Sequence, residues 1–253
     1  MKILFTICGR AGSKGIRNKN LKEFLGYPLP FYTLSVIDLF LKNNEHYNCD
    51  IVINTDSSEL INLFERRVIV PFLSVKRCPE LGSDNTPKID VIRNSYVIAK
   101  TRMGNEYDIV VDLDITAPLR TLADLEALVD KKIRSNADVV FTVTTSRRNP
   151  FFNMVVETEN GFERVIKSDY TARQEAPEVF DMNASMYAYS PQFLAAEGGI
   201  FEGKCDVIKM LDTGILDIDN ERDFELMEVV GDYLFKNYSS FSTIRNSIEG
   251  ILK

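Results

Sequence analysis

Four cations share one glycine-rich stretch near the start of the chain: Arg10, Lys14, Arg17 and Lys19, set among Gly9, Gly12 and Gly15. Glycine lacks a Cβ, so such a backbone can turn tightly and come close to a ligand. Bare N–H groups ringed by cations suit a polyphosphate. A solvated surface loop fits these features too. The familiar phosphate loops do not: Lys14 is followed by Gly15 where a Walker loop needs Ser or Thr, and the glycines lack the Gly-x-Gly-x-x-Gly spacing of a dinucleotide fold.

Two carboxylate pairs offer hard oxygen ligands. On a strand, Asp217 and Asp219 would share one face while Leu216 and Ile218 faced the core. Beside a triphosphate such a pair makes a Mg²⁺ site. A strand end that caps a helix from Asn220 explains the pair as well. Asp112 and Asp114 could by themselves be the metal pair of a nucleotide-sugar glycosyltransferase. His46 is the only histidine, in a polar run that reads as a loop. That count excludes a Ser-His-Asp hydrolase, a Cys-His enzyme and a multi-histidine metal site. Catalysis must run on carboxylates, cations and metal.

These groups need a scaffold, and 253 residues suffice for one large α/β core. Ile3–Ile7, Ile51–Thr55, Ile109–Val111 and Val139–Thr145 read as strands, and Val68–Val75 as another β-rich segment. Helical patterns alternate with them: one from the caps at Asp56–Ser58 through Glu65, one over 87–102, and one capped by Thr121. This order predicts an α/β fold with a mostly parallel, doubly wound sheet. Ligands then sit beyond the carboxyl ends of the strands. The opening loop, Asp56, Asp112, Asp114 and the loop after Val143 would share one rim.

Residues 148–190 change texture and read as an excursion, with a hairpin about Gly161 and a further strand over Ala184–Tyr189. Its aromatics, Phe151, Phe152 and Phe180, suit a subunit interface or a hairpin packed on its own subunit. A net charge of −7 and a pI near 5.0 argue against nucleic acid or an anionic membrane as partner. Any anionic ligand must be held by a local cluster of cations. Cys8, Cys49, Cys78 and Cys205 are scattered and form no zinc or dithiol motif. Reduced thiols, a first strand in place of a signal peptide and the lack of a spanning apolar run point to a cytoplasmic protein.

The opening loop resembles that of the acylneuraminate cytidylyltransferases, Arg-x-Gly-Ser-Lys-Gly followed by Lys-Asn-Leu. Arg10, Gly12, Ser13, Lys14, Gly15, Lys19, Asn20 and Leu21 match in order. Asp217-Ile218-Asp219 with Asp223-Phe224 repeats a family motif whose first two aspartates bind the metal. Thr116-Ala117-Pro118-Leu119-Arg120 is similar to the family's Thr-Ser-Pro-Leu-Arg, and Asp114 falls where many members carry a glutamine that touches the acceptor sugar. Arg77 falls on an arginine that lies against the nucleotide, although the adjacent proline is displaced by one. Its residue-level alternative is a solvated loop arginine. Arg173-Gln174 and Asn183 to Tyr187, with Arg147 and Arg148, look most like the branch acting on legionaminic acid and similar nonulosonic acids.

This resemblance implies CMP transfer from CTP to a nonulosonic acid, with Mg²⁺ on Asp217 and Asp219. Arg10, Lys14 and Lys19 would hold the triphosphate, and Ala11, Gly12, Ser13, Asn20 and Arg77 the rest of the nucleotide. Asp114, Arg147, Arg148, Arg173, Gln174, Asn183 and Tyr187 would meet the sugar. A planar guanidinium such as Arg173 suits its carboxylate. In the family the excursion reaches the partner's cleft, so the resemblance implies a homodimer with arginines able to act in trans. One nucleotidyltransferase domain would span 1–237, with 238–253 an added helix. The alternatives are the glycosyltransferase on Asp112 and Asp114, or a non-catalytic nucleotide-sensing module.

Overall fold

The computed structural model describes residues 1–12, 15–83, 85–213, 218 and 220–253. In chain order its elements are β1 (Lys2–Gly9), β2 (Glu23–Phe24), β3 (Tyr27–Pro28), α1 (Leu29–Asn43), β4 (Asn48–Thr55), α2 (Ser58–Arg67), β5 (Leu73–Lys76), α3 (Lys88–Met103) and β6 (Ile109–Leu113). There follow α4 (Leu122–Arg134), β7 (Val139–Thr145), β8 (Val155–Thr158), β9 (Gly161–Arg164), β10 (Phe180–Tyr189), α5 (Pro191–Ala195), β11 (Cys205–Lys209), α6 (Glu221–Asn237) and α7 (Ser239–Asn246).

Alternation along the strands makes a three-layer sandwich. Ile3, Phe5 and Ile7 of β1 face a core shared with α1, α2, α4, α6 and α7. Leu4 points the other way, to a core closed by α3 and α5. The main sheet runs β11-β7-β10-β6-β1-β4-β5. β1 is parallel to β4 and β6, β4 to β5, and β7 to β11, while β10 alone runs antiparallel. The expected mostly parallel α/β sheet is therefore present. Its carboxyl ends put Gly9, Thr55, Lys76 and Leu113 along one rim.

Local chemistry sets the helix starts. The Ser57 hydroxyl accepts from the Leu60 N–H at 3.1 Å, and Thr121 with Asp124 forms a reciprocal capping box. Asn220 and Asp223 form another at the head of α6, so Asp223 acts as a cap.

Two expectations are corrected. Of the Val68–Val75 segment only Leu73–Val75 lies in a strand, β5, because Val68 bridges Leu252 and the Ile69 N–H donates to the Ile251 carbonyl. The strand expected over Ala184–Tyr189 starts at Phe180 and lies in the main sheet, so what leaves the sheet is shorter than 148–190. The hairpin there is β8–β9, with Gly161 at a φ of +101°, the left-handed side that favours glycine. Residues 238–253 form α7 and a terminal turn bound into the core: Phe241, Ile244, Ile248 and Ile251 are buried, and Ser35 donates to the Ile244 carbonyl. No helix among the described residues is long and apolar enough to cross a membrane.

Candidate active site

β1 delivers the chain to the rim through Gly9, where a Cβ would lie 2.8 Å from both Ile115 and Leu60. Gly12 then takes a φ of +73°, which again favours glycine. The turn is tied at both ends. The Ala11 N–H donates to Asp56 Oδ1 at 2.6 Å, and Asn20 Nδ2 donates to the Arg10 carbonyl at 3.0 Å. Lys19 Nζ donates to the carbonyl of Ile218, itself buried in the core, and so ties the opening loop to the segment before α6. Lys22 reinforces this tie by ion-pairing with Glu221 and lying 4.1 Å over the Phe224 ring.

The result is a cleft of about 270 Å³ that brings Arg10, Lys19, Asn20, Arg77, Lys88, Asp114 and Thr116 together. Arg77 is 6% exposed. Its Nε and Nη2 donate to the side-chain and main-chain oxygens of Asn54 at 3.1 and 3.0 Å, and Asn54 donates in turn to Asn94 on α3. It is no solvated loop arginine. Ser13, Lys14, Asp217 and Asp219 lie outside the described residues.

Asp112, on β6, is fully buried and accepts from the Thr6 hydroxyl at 2.8 Å. Lys88 Nζ lies 2.8 Å from Asp112 and 2.6 Å from Asp114. Burial alone would push the Lys88 ammonium down, but the two carboxylates outweigh it and hold the group well above the ordinary lysine value. Burial would likewise raise Asp114. Lys88, with the hydroxyl and N–H of Thr116, instead holds it below the usual carboxylate range. Burial, then the nearby Asp112 charge, pushes the Cys8 thiol up to about 12, so it is inert as a nucleophile. Arg120 is buried and ties its guanidinium to the carbonyls of Asp114 and Ala117, which moulds the turn after Asp114.

Lys88 was not among the residues singled out from sequence. The available signal was a lysine in the first turn of a helix, directly after Pro87, where the helix dipole disfavours a cation.

Thr116 also lines a second hollow with Leu119, Thr144, Asn183, Ser185 and Met227. There Asn183 accepts from the Thr142 hydroxyl at 2.5 Å, and Ser185 is 3% exposed. Tyr187 instead packs in the core under α3, its ring 6.2 Å from Phe141 and 6.1 Å from Tyr189. Arg173 and Gln174 are exposed and line a third hollow with Ser146 and Asn149. Arg173 donates to the Ser146 carbonyl at 2.7 Å, Arg147 to Asp212 at 2.7 Å, and Arg148 to the Arg147 carbonyl. The structure thus gathers Arg10, Lys19, Asn20 and Arg77 with Asp114, while Arg173 and Gln174 line a different hollow.

Comparison with known proteins bears on the family and the fold. A family model described as "Cytidylyltransferase" matches residues 4–230. "Post-translational flagellin modification protein B" of Campylobacter coli is 33% identical over 230 residues, covering 90% of this chain and 94% of the relative. "CMP-N,N'-diacetyllegionaminic acid synthase" of Campylobacter jejuni is 30% identical over 227 residues, with 90% and 94% covered. Among solved structures, a CMP:2-keto-3-deoxy-manno-octonic acid synthetase complexed with CTP superposes with a TM-score of 0.61 at 14% identity, over 92% of this chain and 99% of that one. At that identity the likeness concerns the fold.

Proposed function

We propose, since this chain belongs to the cytidylyltransferase family, that it transfers CMP from CTP to the anomeric hydroxyl of a nonulosonic acid of the sialic or legionaminic type and releases pyrophosphate. Relatives named for legionaminic, acylneuraminic and pseudaminic acids support the acceptor class. The observation that carries the reading is the basic cleft at the strand ends, where Arg10, Lys19, Asn20 and Arg77 converge in a protein of net charge −7.

In this reading the sugar hydroxyl attacks the α-phosphorus in line, a new P–O bond forms, and the bond to the β-phosphate oxygen breaks. Arg10, Lys14 and Lys19 bind the triphosphate and stabilise charge as it moves onto pyrophosphate. Arg77, fixed through Asn54, faces the nucleotide with little entropy left to lose. Arg173, or Arg147 and Arg148, meets the acid's carboxylate, and Asp114 and Asn183 meet its hydroxyl or amino substituents. No covalent enzyme intermediate is needed.

Asp217 and Asp219 would hold Mg²⁺. As two hard carboxylate donors they fit the ion, and they flank Ile218, whose carbonyl is bonded to the cleft residue Lys19. When bound, the ion would offset charge on the attacking oxygen and on pyrophosphate. The rival pair, Asp112 and Asp114, already shares an ammonium, which weighs against a glycosyltransferase metal site there. The exposed hairpin, with Val155 61% and Phe162 72% exposed, supports a homodimer in which an excursion completes the partner's cleft. Four free cysteines and a nucleoside triphosphate substrate support a cytoplasmic setting.

The test is pyrophosphate release from CTP against a panel of nonulosonic acids, with UTP, ATP and GTP as controls. CTP-dependent release with at least one acid is expected. Release with no acid, or equal turnover of all four nucleotides, refutes the reading.

A further inference from the structure

Lys88 sits where a lysine is costly. It opens α3 behind Pro87, at the positive end of the helix dipole, and its ammonium is drawn in against β6. Two carboxylates stabilise it there, and each is fixed on its other oxygen. Asp112 accepts from Thr6 on β1, and Asp114 accepts from the N–H and hydroxyl of Thr116, both at 2.7 Å. A continuous polar chain therefore runs from β1 through Asp112, Lys88 and Asp114 to Thr116, the residue shared by the basic cleft and the hollow beside Asn183.

Without the ammonium, two carboxylates would face each other across a space of its size, Asp112 fully buried. They would repel, and the Asp114–Thr116 turn would lose its anchor or recruit a divalent cation in place of Lys88. The pair would also repel an acidic acceptor. With Lys88 present, one of the two negative charges is cancelled.

We propose that Lys88 is a positioning residue for the acceptor acid: it holds Asp114 and Thr116 in place and keeps the Asp112–Asp114 pair closed to divalent cations. This rests on the transfer reaction proposed above, but its metal arm can be read without that reaction. Mn²⁺ binding to the nucleotide-free protein is measured by electron paramagnetic resonance for wild type, Lys88→Met, Lys88→Gln and Lys88→Arg. Lys88→Met and Lys88→Gln should gain a Mn²⁺ site that a further Asp114→Asn change removes, and Lys88→Arg should gain none. In steady-state kinetics Lys88→Met should raise the acid's KM by about tenfold or more, as loss of a charge-assisted anchor does, with the KM for CTP within about twofold. Lys88→Arg should restore much of the loss.

The same Mn²⁺ stoichiometry in all four proteins would overturn the closed-pair role. A CTP KM that rises as much as the acid's would overturn the acceptor role. Lys88→Gln, which keeps an uncharged amide NH₂ donor group, is read the same way if Lys88→Met does not fold. If wild type turns over no nonulosonic acid, the transfer reading fails, and the Mn²⁺ arm still decides what Lys88 does to the pair.

Discussion

Arg77 and Arg147 both stand just past the end of a strand at the ligand rim, yet one is 6% exposed and the other has a side chain 67% exposed. Arg77 is bonded twice to Asn54 in the sheet, and Asn54 to α3. Arg147 has a surface pair with Asp212, worth little in water. The same contrast separates the two sides of the site. The side proposed for the nucleotide is set by a parallel sheet and its capped helices before any ligand arrives. The excursion side presents exposed arginines and an exposed apolar hairpin, which suits the second copy or substrate proposed to complete it. Preorganisation belongs to the first side and adaptability to the second.

The strongest way to break this comparison is through the metal ligands proposed to serve both sides. Asp219→Asn keeps size but removes an anionic ligand, and should lower the rate by about 10²–10³. Near-normal turnover of this variant, with Asp112→Asn inactive, would move the metal to the other pair.

Arg77→Ala should act on folding and binding together. It strips partners from the buried Asn54, at about 1–3 kcal/mol, so thermal unfolding should fall by several degrees while the KM for CTP rises. An unchanged melting temperature would show that Arg77 is not built into the frame.

Arg173→Ala should do the opposite. Its exposed side chain predicts little change in melting, while the acid's KM rises by about tenfold or more for a lost charge-assisted pair at about 1.5–3 kcal/mol. Mixed with Asp219→Asn under subunit exchange, it should recover some activity if Arg173 serves the partner's cleft. No recovery despite exchange would keep Arg173 in its own subunit, and an unchanged KM would remove it from the site.

Phe162→Glu tests the hairpin directly. Sedimentation should show a shift from dimer to monomer with circular dichroism unchanged, and a wild-type monomer would remove the shared-site idea. The smallest effect sharpens the rigid side: Thr121→Ala, which deletes the cap of α4, should cost about 1 kcal/mol, or roughly 2–4 °C in thermal unfolding for a chain of this size.

Much of this was legible along the chain because the signals are local. β-branched runs give Ile51–Thr55, the larger part of β4, and Val139–Thr145, caps at Ser57 and Thr121 start their helices, and glycines mark the turn after β1. Other features were not, because their causes lie far away in sequence. Val68 and Ile69 look like strand but take the C-terminus as partner. Residues 238–253 carry no motif, yet Arg245 donates to the Leu25 carbonyl and Tyr27 to Glu249, so they clasp the turn just after the opening loop.

Composition and spacing were enough to determine an α/β chain with a cationic loop at the end of its first strand, and to exclude histidine chemistry. Covalent neighbours set turns, caps and strand alternation, and those survive any rearrangement of distant elements. Only the tertiary structure decided that β10 enters the sheet antiparallel, that Arg77 is buried against Asn54, and that Lys88 bridges Asp112 and Asp114. The physical reason is burial. A side chain's charge state, partners and freedom depend on how much water the fold leaves around it, and that is decided by segments the local sequence does not contain.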